Sequence, residues 1–453
     1  MPKNIIICCD GTNNKFGANN SNVVHLFSVL DNQFEKQIAY YDPGVGTLAD
    51  TGLFGPINKN LSIILGSAFG RGMQKNVEEA YIYLMEKYED GDKIYLFGFS
   101  RGAYTVRVLA GFIKMLGLLE KGNRNLIPYA YEIYSDKKMP GGKKFEIAGK
   151  FKYNYGRQIK NPDFDPDDHK SKTHTHDIKI HFMGLWDTVS SVGWVGNLHS
   201  YPYTSNNNNI VTIRHALAID ERRTYFMNET LGKKEDDKIG DDKKTEQKTN
   251  IKEVWFCGVH SDVGGSYAPI KSGLSKIALD WMVHEASLAG VQFNESRYKY
   301  VVHHPKPKTK NGPAEDSPPD HNGFKHESLT GFWKIAEIIP RTIIVGYKKV
   351  KDAKDAIKTK KITKTFIPMG RPRIIPEGSI IHQSVKDRME EKEEEKLKYE
   401  PKNVSLLSCT VEQYQLPFLS EEDKIILLKW PDSSTPPSRH LFEEWKSSLK
   451  KNG

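Results

Sequence analysis

Ser100 stands between Gly98 and Gly102 in the run Lys93–Ile113, KIYLFGFSRGAYTVRVLAGFI. A serine hydroxyl becomes a nucleophile only when a base takes its proton and an acid orients that base. The residues around Ser100 suit that use. Ile94, Tyr95, Leu96 and Phe97 form a near-continuous apolar run, the pattern of a strand buried on both faces. Beyond the turn, Ala103, Val106, Leu109, Ala110 and Ile113 recur at helical spacing. Strand, sharp turn and helix with glycine two residues to either side of the serine make a nucleophile elbow. Small neighbours let strand and helix pass closely.

Two later strand ends supply partners in the order acid, then histidine. Asp187 follows the apolar run IKIHFMGLW, and His260 follows VWFCGV. Open α/β sheets place their sites at the carboxyl ends of strands, so Ser100, Asp187 and His260 are the expected triad. Asp262 is a rival acid, although two residues from His260 it suits a turn or a cation better. His181 sits mid-strand and reads as a core histidine. His215 falls in a segment expected to be helical and suits packing or the surface. His174 and His176 lie in a polar stretch, where spacing alone is thin support for a metal. An oxyanion hole needs two backbone N–H donors. One should be Arg101, the residue after the nucleophile, and the other Gly11 or Thr12 after the first strand. Asp10 and Asn13 of the same turn could instead bind a metal.

The elements that must position these residues alternate. Asn4–Cys9 reads as a strand, Val23 to Leu30 as a short helix, Gln37–Tyr41 as a second strand and Gly72–Tyr88 as an amphipathic helix. The elbow comes next, then a strand at Ile178–Trp186, a helix at Val211–Phe226, a strand at Glu253–Gly258 and a helix at Leu274–Ala289. That order predicts an α/β fold with a doubly wound, mainly parallel sheet of α/β-hydrolase type, carrying inserted cap segments and a C-terminal extension. The catalytic domain is expected over residues 1–300. Gly44–Leu65 is glycine-rich and irregular. Insertions are expected at about 137–177, as a cap, and 228–250, as a lysine- and acid-rich loop. Residues 301–453 form the extension, a cap or a membrane- or partner-facing region. It contains a proline-rich stretch at Pro305–Asp320, aromatic and aliphatic anchors at Phe332–Ile339, a basic run at Lys348–Lys364, a charged helix at Asp387–Lys398 and a final helix at His440–Leu449.

Composition bounds the class. The 453 residues are 38% hydrophobic and 27% charged, enough for a sizeable core. No run approaches the roughly 18–20 apolar residues that cross a bilayer. The opening MPKNIIICCDGT has too short an apolar run for a signal peptide, so a cytoplasmic origin is expected, with delivery to a target cell or peripheral membrane attachment left open. Cys8, Cys9, Cys257 and Cys409 show no metal-ligand spacing and read as reduced thiols. No cofactor and no metal is expected. The net charge of +9 fits an anionic membrane surface or nucleic acid. Single-strand binding would call for aromatic residues among the lysines, and none lies between Lys349 and Lys364. Nucleic acid is therefore not the expected partner.

Five blocks in order carry a resemblance: CDGTNN at Cys9–Asn14, YDPGVGT at Tyr41–Thr47, GFSRGA at Gly98–Ala103, GLWDTVSSVG at Gly184–Gly193 and VWFCGVHSDVGGSY at Val254–Tyr267. Together they resemble the type VI secretion phospholipase effector family, from Ile5 to about Leu288, with weaker echoes at GFWKIAEIIPR and IIHQSVKDR. The resemblance implies an α/β-hydrolase fold, a Ser-Asp-His triad at Ser100, Asp187 and His260, and hydrolysis of glycerophospholipid acyl esters. It also implies a phospholipid surface as substrate and a secretion or immunity partner. The blocks depart from many lipases in having Phe99 before the serine, and no delivery domain is visible. A stand-alone enzyme acting in its own cell, a soluble carboxylesterase or thioesterase, and a non-catalytic hydrolase-fold binding protein are the alternatives.

Overall fold

A computed structural model of the chain describes residues 2–11, 14, 16–33, 35–44, 67–136, 138–157, 177–189, 201–231, 249–303, 316–331, 333–334, 337–338, 341–351, 357–391, 399–404 and 409–412. Eight strands form one sheet: β1 (Asn4–Cys9), β2 (Gln37–Asp42), β3 (Lys93–Phe99), β4 (Ile180–Trp186), β5 (Ile210–Ala218), β6 (Asn250–Phe256), β9 (Ile380–His382) and β10 (Thr410–Glu412), in the order β10-β9-β6-β5-β4-β3-β1-β2. Every neighbouring pair is parallel. All six residues of β1 are buried, as are the last six of β3, because helices cover both faces.

One face carries α2 (Ser67–Lys87), α3 (Arg101–Leu116), α4 (Ile127–Ser135) and α5 (Gly141–Tyr155), whose Val77, Leu84, Val106, Leu109, Phe112 and Phe151 pack on Ile5, Ile7 and Leu96. The other carries α1 (Asn22–Val29), α6 (His260–Gly264), α7 (Gly273–Leu288) and α8 (Gln383–Glu390), with Val23, Leu26, Ala278, Met282 and Val385 against Ile6, Phe97 and Phe182. Ser21 starts α1, its hydroxyl accepting from Val24 N at 3.2 Å. β1 lies between β2 and β3, so the chain runs outward on one side of it and then in the opposite direction on the other. That is the switch point where open α/β sheets leave a crevice, and Gly11 and Ser100 follow its two strand ends.

Several expectations change. Val211–Phe226 is not a helix. Its first part is the central strand β5, followed by a single 3-10 turn at Thr224–Phe226. Lys137–Asp177 is not simply a cap above the sheet: α5 packs Ala148 and Phe151 into the core beside α3. The sheet does not stop near residue 300, since β9 and β10 extend it. Lys348–Lys364 falls in an antiparallel hairpin of β7 (Arg341–Lys351) and β8 (Ile357–Phe366). The charged helix begins earlier than expected, at Gln383. Most of the irregular Gly44–Leu65 stretch, residues 158–176 of the first insertion, 232–248 of the second, most of the proline-rich stretch and the final helix lie outside the described residues. All four cysteines are free, and Cys8, Cys9 and Cys257 are buried. Among the described residues no helix is long and apolar enough to cross a membrane.

Candidate active site

The elbow is strained where the hydroxyl is presented. Ser100 has φ 58° and ψ −121°, a region that L residues avoid. Two backbone bonds hold it there: its N–H donates to Trp186 O at 3.0 Å, and its carbonyl accepts from Val189 N at 3.2 Å. The flanking glycines are a steric requirement. A Cβ on Gly102 would lie 2.2 Å from Cys9 O, and one on Gly98 would lie 2.6 Å from Gly102 O. Helix α3 can leave the strand this sharply only because both side chains are hydrogen.

Ser100, His260 and Asp187 meet from three strand ends. His260 Nε2 lies 2.8 Å from Ser100 Oγ, and His260 Nδ1 lies 2.5 Å from Asp187 Oδ2. A carboxylate only accepts, so Nδ1 carries the proton and Nε2 is left to accept the serine's. The site is sheltered: Ser100 is 7% exposed, His260 3% and Asp187 0%. Phe99 and Phe226 flank the imidazole at 4.6 and 4.9 Å between ring centroids. Burial pushes the His260 pKa below its ordinary value, against the raising effect of Asp187, so the ring is neutral and able to act as a base near neutral pH.

Asp187 is held from every side. Its N–H donates to Ala216 O at 2.8 Å on the neighbouring strand, and Oδ1 accepts from Ala218 N at 3.0 Å. Arg373, far along the chain, donates from Nη1 to Oδ1 at 2.5 Å and from Nη2 to Oδ2 at 3.0 Å. Burial alone would raise this carboxyl, but the Arg373 charge and the His260 bond hold it well below the usual carboxylate range. Sequence reasoning missed Arg373. It also missed Glu221, which accepts from His260 N at 3.2 Å and from Ser328 Oγ at 2.9 Å while pairing with Arg223. Arg223 in turn lies 3.7 Å over the Phe226 ring. The polar run IDERR at Ile219–Arg223 was the available signal for Glu221 and Arg223. Nothing local marks Arg373.

Arg101 opens α3 directly after the serine, so its backbone N–H belongs to the positive end of that helix. Gly11 lies against the nucleophile: a Cβ there would stand 3.2 Å from Ser100 Cβ. Its N–H donates to Asp10 Oδ1 at 2.7 Å, so it reaches an oxyanion only by giving up that bond. Thr12 and Asn13 lie outside the described residues. Asp10 spends its oxygens on protein donors, taking bonds from Gly11 N, Asn14 Nδ2, Ser21 Oγ and Tyr41 Oη. That arrangement braces the β1 turn against α1 and β2.

The rivals have other work. Asp262 accepts from Val259 N at 3.0 Å and from His326 Nδ1 at 2.6 Å, capping its own short helix. His215 is on β5, not on a helix. It is fully buried, bonded by Nδ1 to Glu253 Oε1 at 2.8 Å, and its Nε2 accepts from Thr188 N at 3.1 Å. It thereby fixes the residue after Asp187. His181 is the second residue of β4, half-buried beside Tyr95, and so is not the core histidine expected. His174 and His176 lie outside the described residues.

Comparison with known proteins adds to this geometry. A family model described as "T6SS, Phospholipase effector Tle1-like, catalytic domain" matches residues 3–285. An uncharacterized protein of Saccharomyces cerevisiae is 35% identical over 236 residues, 49% of this chain and 32% of the yeast protein. An uncharacterized protein from Pseudomonas aeruginosa of known structure aligns with TM-score 0.34 at 18% identity, covering 64% of this chain and 46% of that one. The Tle1 effector bound to the VgrG spike of the Type 6 secretion system aligns with TM-score 0.30 at 18% identity, covering 60% and 52%. The match spans about a third of the yeast relative and about half of the two solved chains.

Proposed function

Because the chain belongs to the type VI secretion, Tle1-like phospholipase effector catalytic-domain family, we propose that it is a serine hydrolase of phospholipase A type. Its substrate would be the acyl ester of a glycerophospholipid. The observation that carries this reading is the continuous contact from Ser100 Oγ to His260 Nε2 and from His260 Nδ1 to Asp187 Oδ2. In the first half-reaction Ser100 Oγ attacks the acyl carbonyl while its proton passes to His260 Nε2. Asp187 keeps the imidazole in the tautomer that accepts this proton and stabilises the cation that forms. The Arg101 N–H and a second donor from the turn after β1, at Gly11 or Thr12, bind the oxyanion. Collapse of the tetrahedral intermediate breaks the ester C–O bond, and the lysolipid leaves with the proton from Nε2. In the second half-reaction water attacks the acyl-enzyme, gives a proton to Nε2, and releases the fatty acid as Ser100 takes that proton back.

A lipid substrate is favoured over a small ester by the surface beside His260. Phe226, Glu337 and Gly370 belong to three segments tied together, since Glu337 accepts from both Thr224 N and Gly370 N. Those segments carry Met227, Ile338, Ile367, Met369 and Ile374, all large apolar side chains between 45% and 88% exposed. The hairpin between Ile338 and Ile367 is rich in lysine, which suits anionic headgroups. Delivery by a secretion partner rests on family membership alone. Mass spectrometry of mixed phosphatidylglycerol and phosphatidylethanolamine vesicles should show free fatty acid and lysolipid with the wild type and neither with Ser100→Ala. Hydrolysis of short-chain esters without any vesicle product would move the assignment to a soluble esterase. Vesicle hydrolysis that survives Ser100→Ala would remove the serine mechanism.

A further inference from the structure

The side chain that completes the acid of the site comes from outside the span that the family model matches. Arg373 lies in the extended stretch between β8 and β9, 88 residues beyond the last matched residue, 285. Its side chain is 6% exposed. The guanidinium makes four bonds to the site: Nη1 to Asp187 Oδ1 (2.5 Å) and Ala218 O (2.9 Å), and Nη2 to Asp187 Oδ2 (3.0 Å) and Phe226 O (2.5 Å). The backbone that carries it is anchored too. Asn403 Nδ2 donates to Arg373 O and to Ile219 O, both at 3.1 Å, and Arg222 Nε donates to Gly370 O at 2.8 Å.

We infer that Arg373 is a positioning residue of the hydrolase: its planar fork clamps Asp187 so that the carboxylate stays ionised and aimed at His260 Nδ1. The C-terminal segment is then part of the catalytic unit, not an appendage. The role rests on the serine-hydrolase reading given above. Two parallel N–H donors in one plane match two carboxylate oxygens and fix both the position and the rotation of the group. A fully buried carboxylate with no counter-charge tends to take up a proton. Protonated Asp187 could no longer act as a pure acceptor, and the imidazole would lose the tautomer that the reaction needs. Arg373 also reaches past Asp187 to Phe226 O, so the same side chain holds one of the two rings that flank His260. The clamp has an electrostatic consequence. A cation beside the His260–Asp187 pair opposes protonation of the imidazole, as does Arg223, while Asp187 and Glu221 favour it.

The test uses the full chain as wild type, Arg373→Met and Arg373→Lys. The readouts are the rate of fluorophosphonate labelling of Ser100, kcat and KM on a soluble ester, and the pH profile of kcat/KM, each per folded molecule. Loss of the clamp should lower labelling and kcat by about 10–100-fold, the scale of a small misplacement in an active site, with KM nearly unchanged. In Arg373→Met the acid limb should leave its wild-type position, moving to higher pH where Asp187 stays ionised after loss of the cation and to lower pH where Asp187 takes up a proton. Arg373→Lys keeps a cation without the fork, so its limb should stay near that of the wild type while its rate falls between the other two. Wild-type rates and an unmoved limb in Arg373→Met, with only a lower melting temperature, would reduce Arg373 to a structural ion pair. If Arg373→Met does not fold, full rates in Arg373→Lys overturn the fork on their own. A wild type that takes no label overturns the serine-hydrolase reading itself, and the clamp with it.

Discussion

The Ser100 amide donates to the Trp186 carbonyl at 3.0 Å, which latches the elbow to the strand that ends immediately before Asp187. Ser100 and Asp187 are therefore fixed relative to one another by main chain, independently of the contacts their side chains make. His260 closes the gap from β6, and its imidazole is held on one edge by Asp187 and flanked by Phe99 and Phe226. Each part of this arrangement has a measurable consequence.

The strain at Ser100 gives the first. A residue at φ 58° and ψ −121° costs on the order of 1–3 kcal/mol unless it is glycine. Ser100→Gly should therefore raise the melting temperature while removing hydrolysis. Ser100→Ala should remove hydrolysis without that gain. Thermal denaturation of both variants beside the wild type checks it, and equal melting temperatures for the two would argue against a strained elbow.

In the proposed mechanism Asp187 both orients His260 and balances Arg373, so Asp187→Asn should show two losses. The wrong imidazole tautomer is expected to lower kcat by about 10⁴-fold. Arg373 would also be left as a buried cation without its counter-charge, a loss of about 3–5 kcal/mol in stability. His260→Gln should lose activity and keep most of the stability. Denaturant titration of the pair separates catalytic from structural damage. A fully stable Asp187→Asn would mean that the ion pair contributes little.

The pH profile follows from the direction of the His260 shift. The neutral ring is the base, and burial has lowered its pKa. The reactive form therefore persists below the ordinary histidine value of about 6.5, and activity declines only at lower pH. The charged groups that face the ring are Asp187, Glu221, Arg223 and, through Asp187, Arg373. A kcat/KM profile on a soluble ester should stay level through pH 6.5. A half-drop at or above that value would contradict a desolvated, neutral base.

Gly102 offers the sharpest steric test. Its missing Cβ would meet the carbonyl oxygens of Cys9 at 2.2 Å and Asp10 at 2.4 Å, both of them backbone. Neither can move without shifting β1, so Gly102→Ala should fold poorly or fail to take a serine-directed label. Gly149→Ala on the surface of α5, where a Cβ meets nothing within 4 Å, should be neutral or slightly stabilising. Circular dichroism melts and labelling of both variants give the comparison.

Much of the site could be read from the chain because strand ends are local features. The elbow, the Asp187 turn and the His260 turn each follow an apolar run, and the sheet brings their ends together. What could not be read has physical reasons. β5 is central and buried, so VTIRHALAI does not alternate. Its apolar residues at 213, 216 and 217 fall at helical spacing. α5 was hidden because only Ala148 and Phe151 of its hydrophobic residues are buried: Phe145 and Ile147 pack half-buried at the edge of the core, and Tyr153 and Tyr155 are exposed among lysines. Arg373 sits in GRPR, a stretch that resembles any basic loop, and its partner is 186 residues away. β9 and β10 are three residues each, too short for any periodicity to register.

The most direct measurement is the site of covalent modification. Incubation of the full chain with a fluorophosphonate, followed by peptide mass spectrometry, should find one adduct, on Ser100. It should be absent when the protein is first denatured and strongly reduced in His260→Gln. No adduct on the folded wild type, or an adduct on another serine together with full ester hydrolysis by Ser100→Ala, would contradict the assignment of Ser100 as the nucleophile.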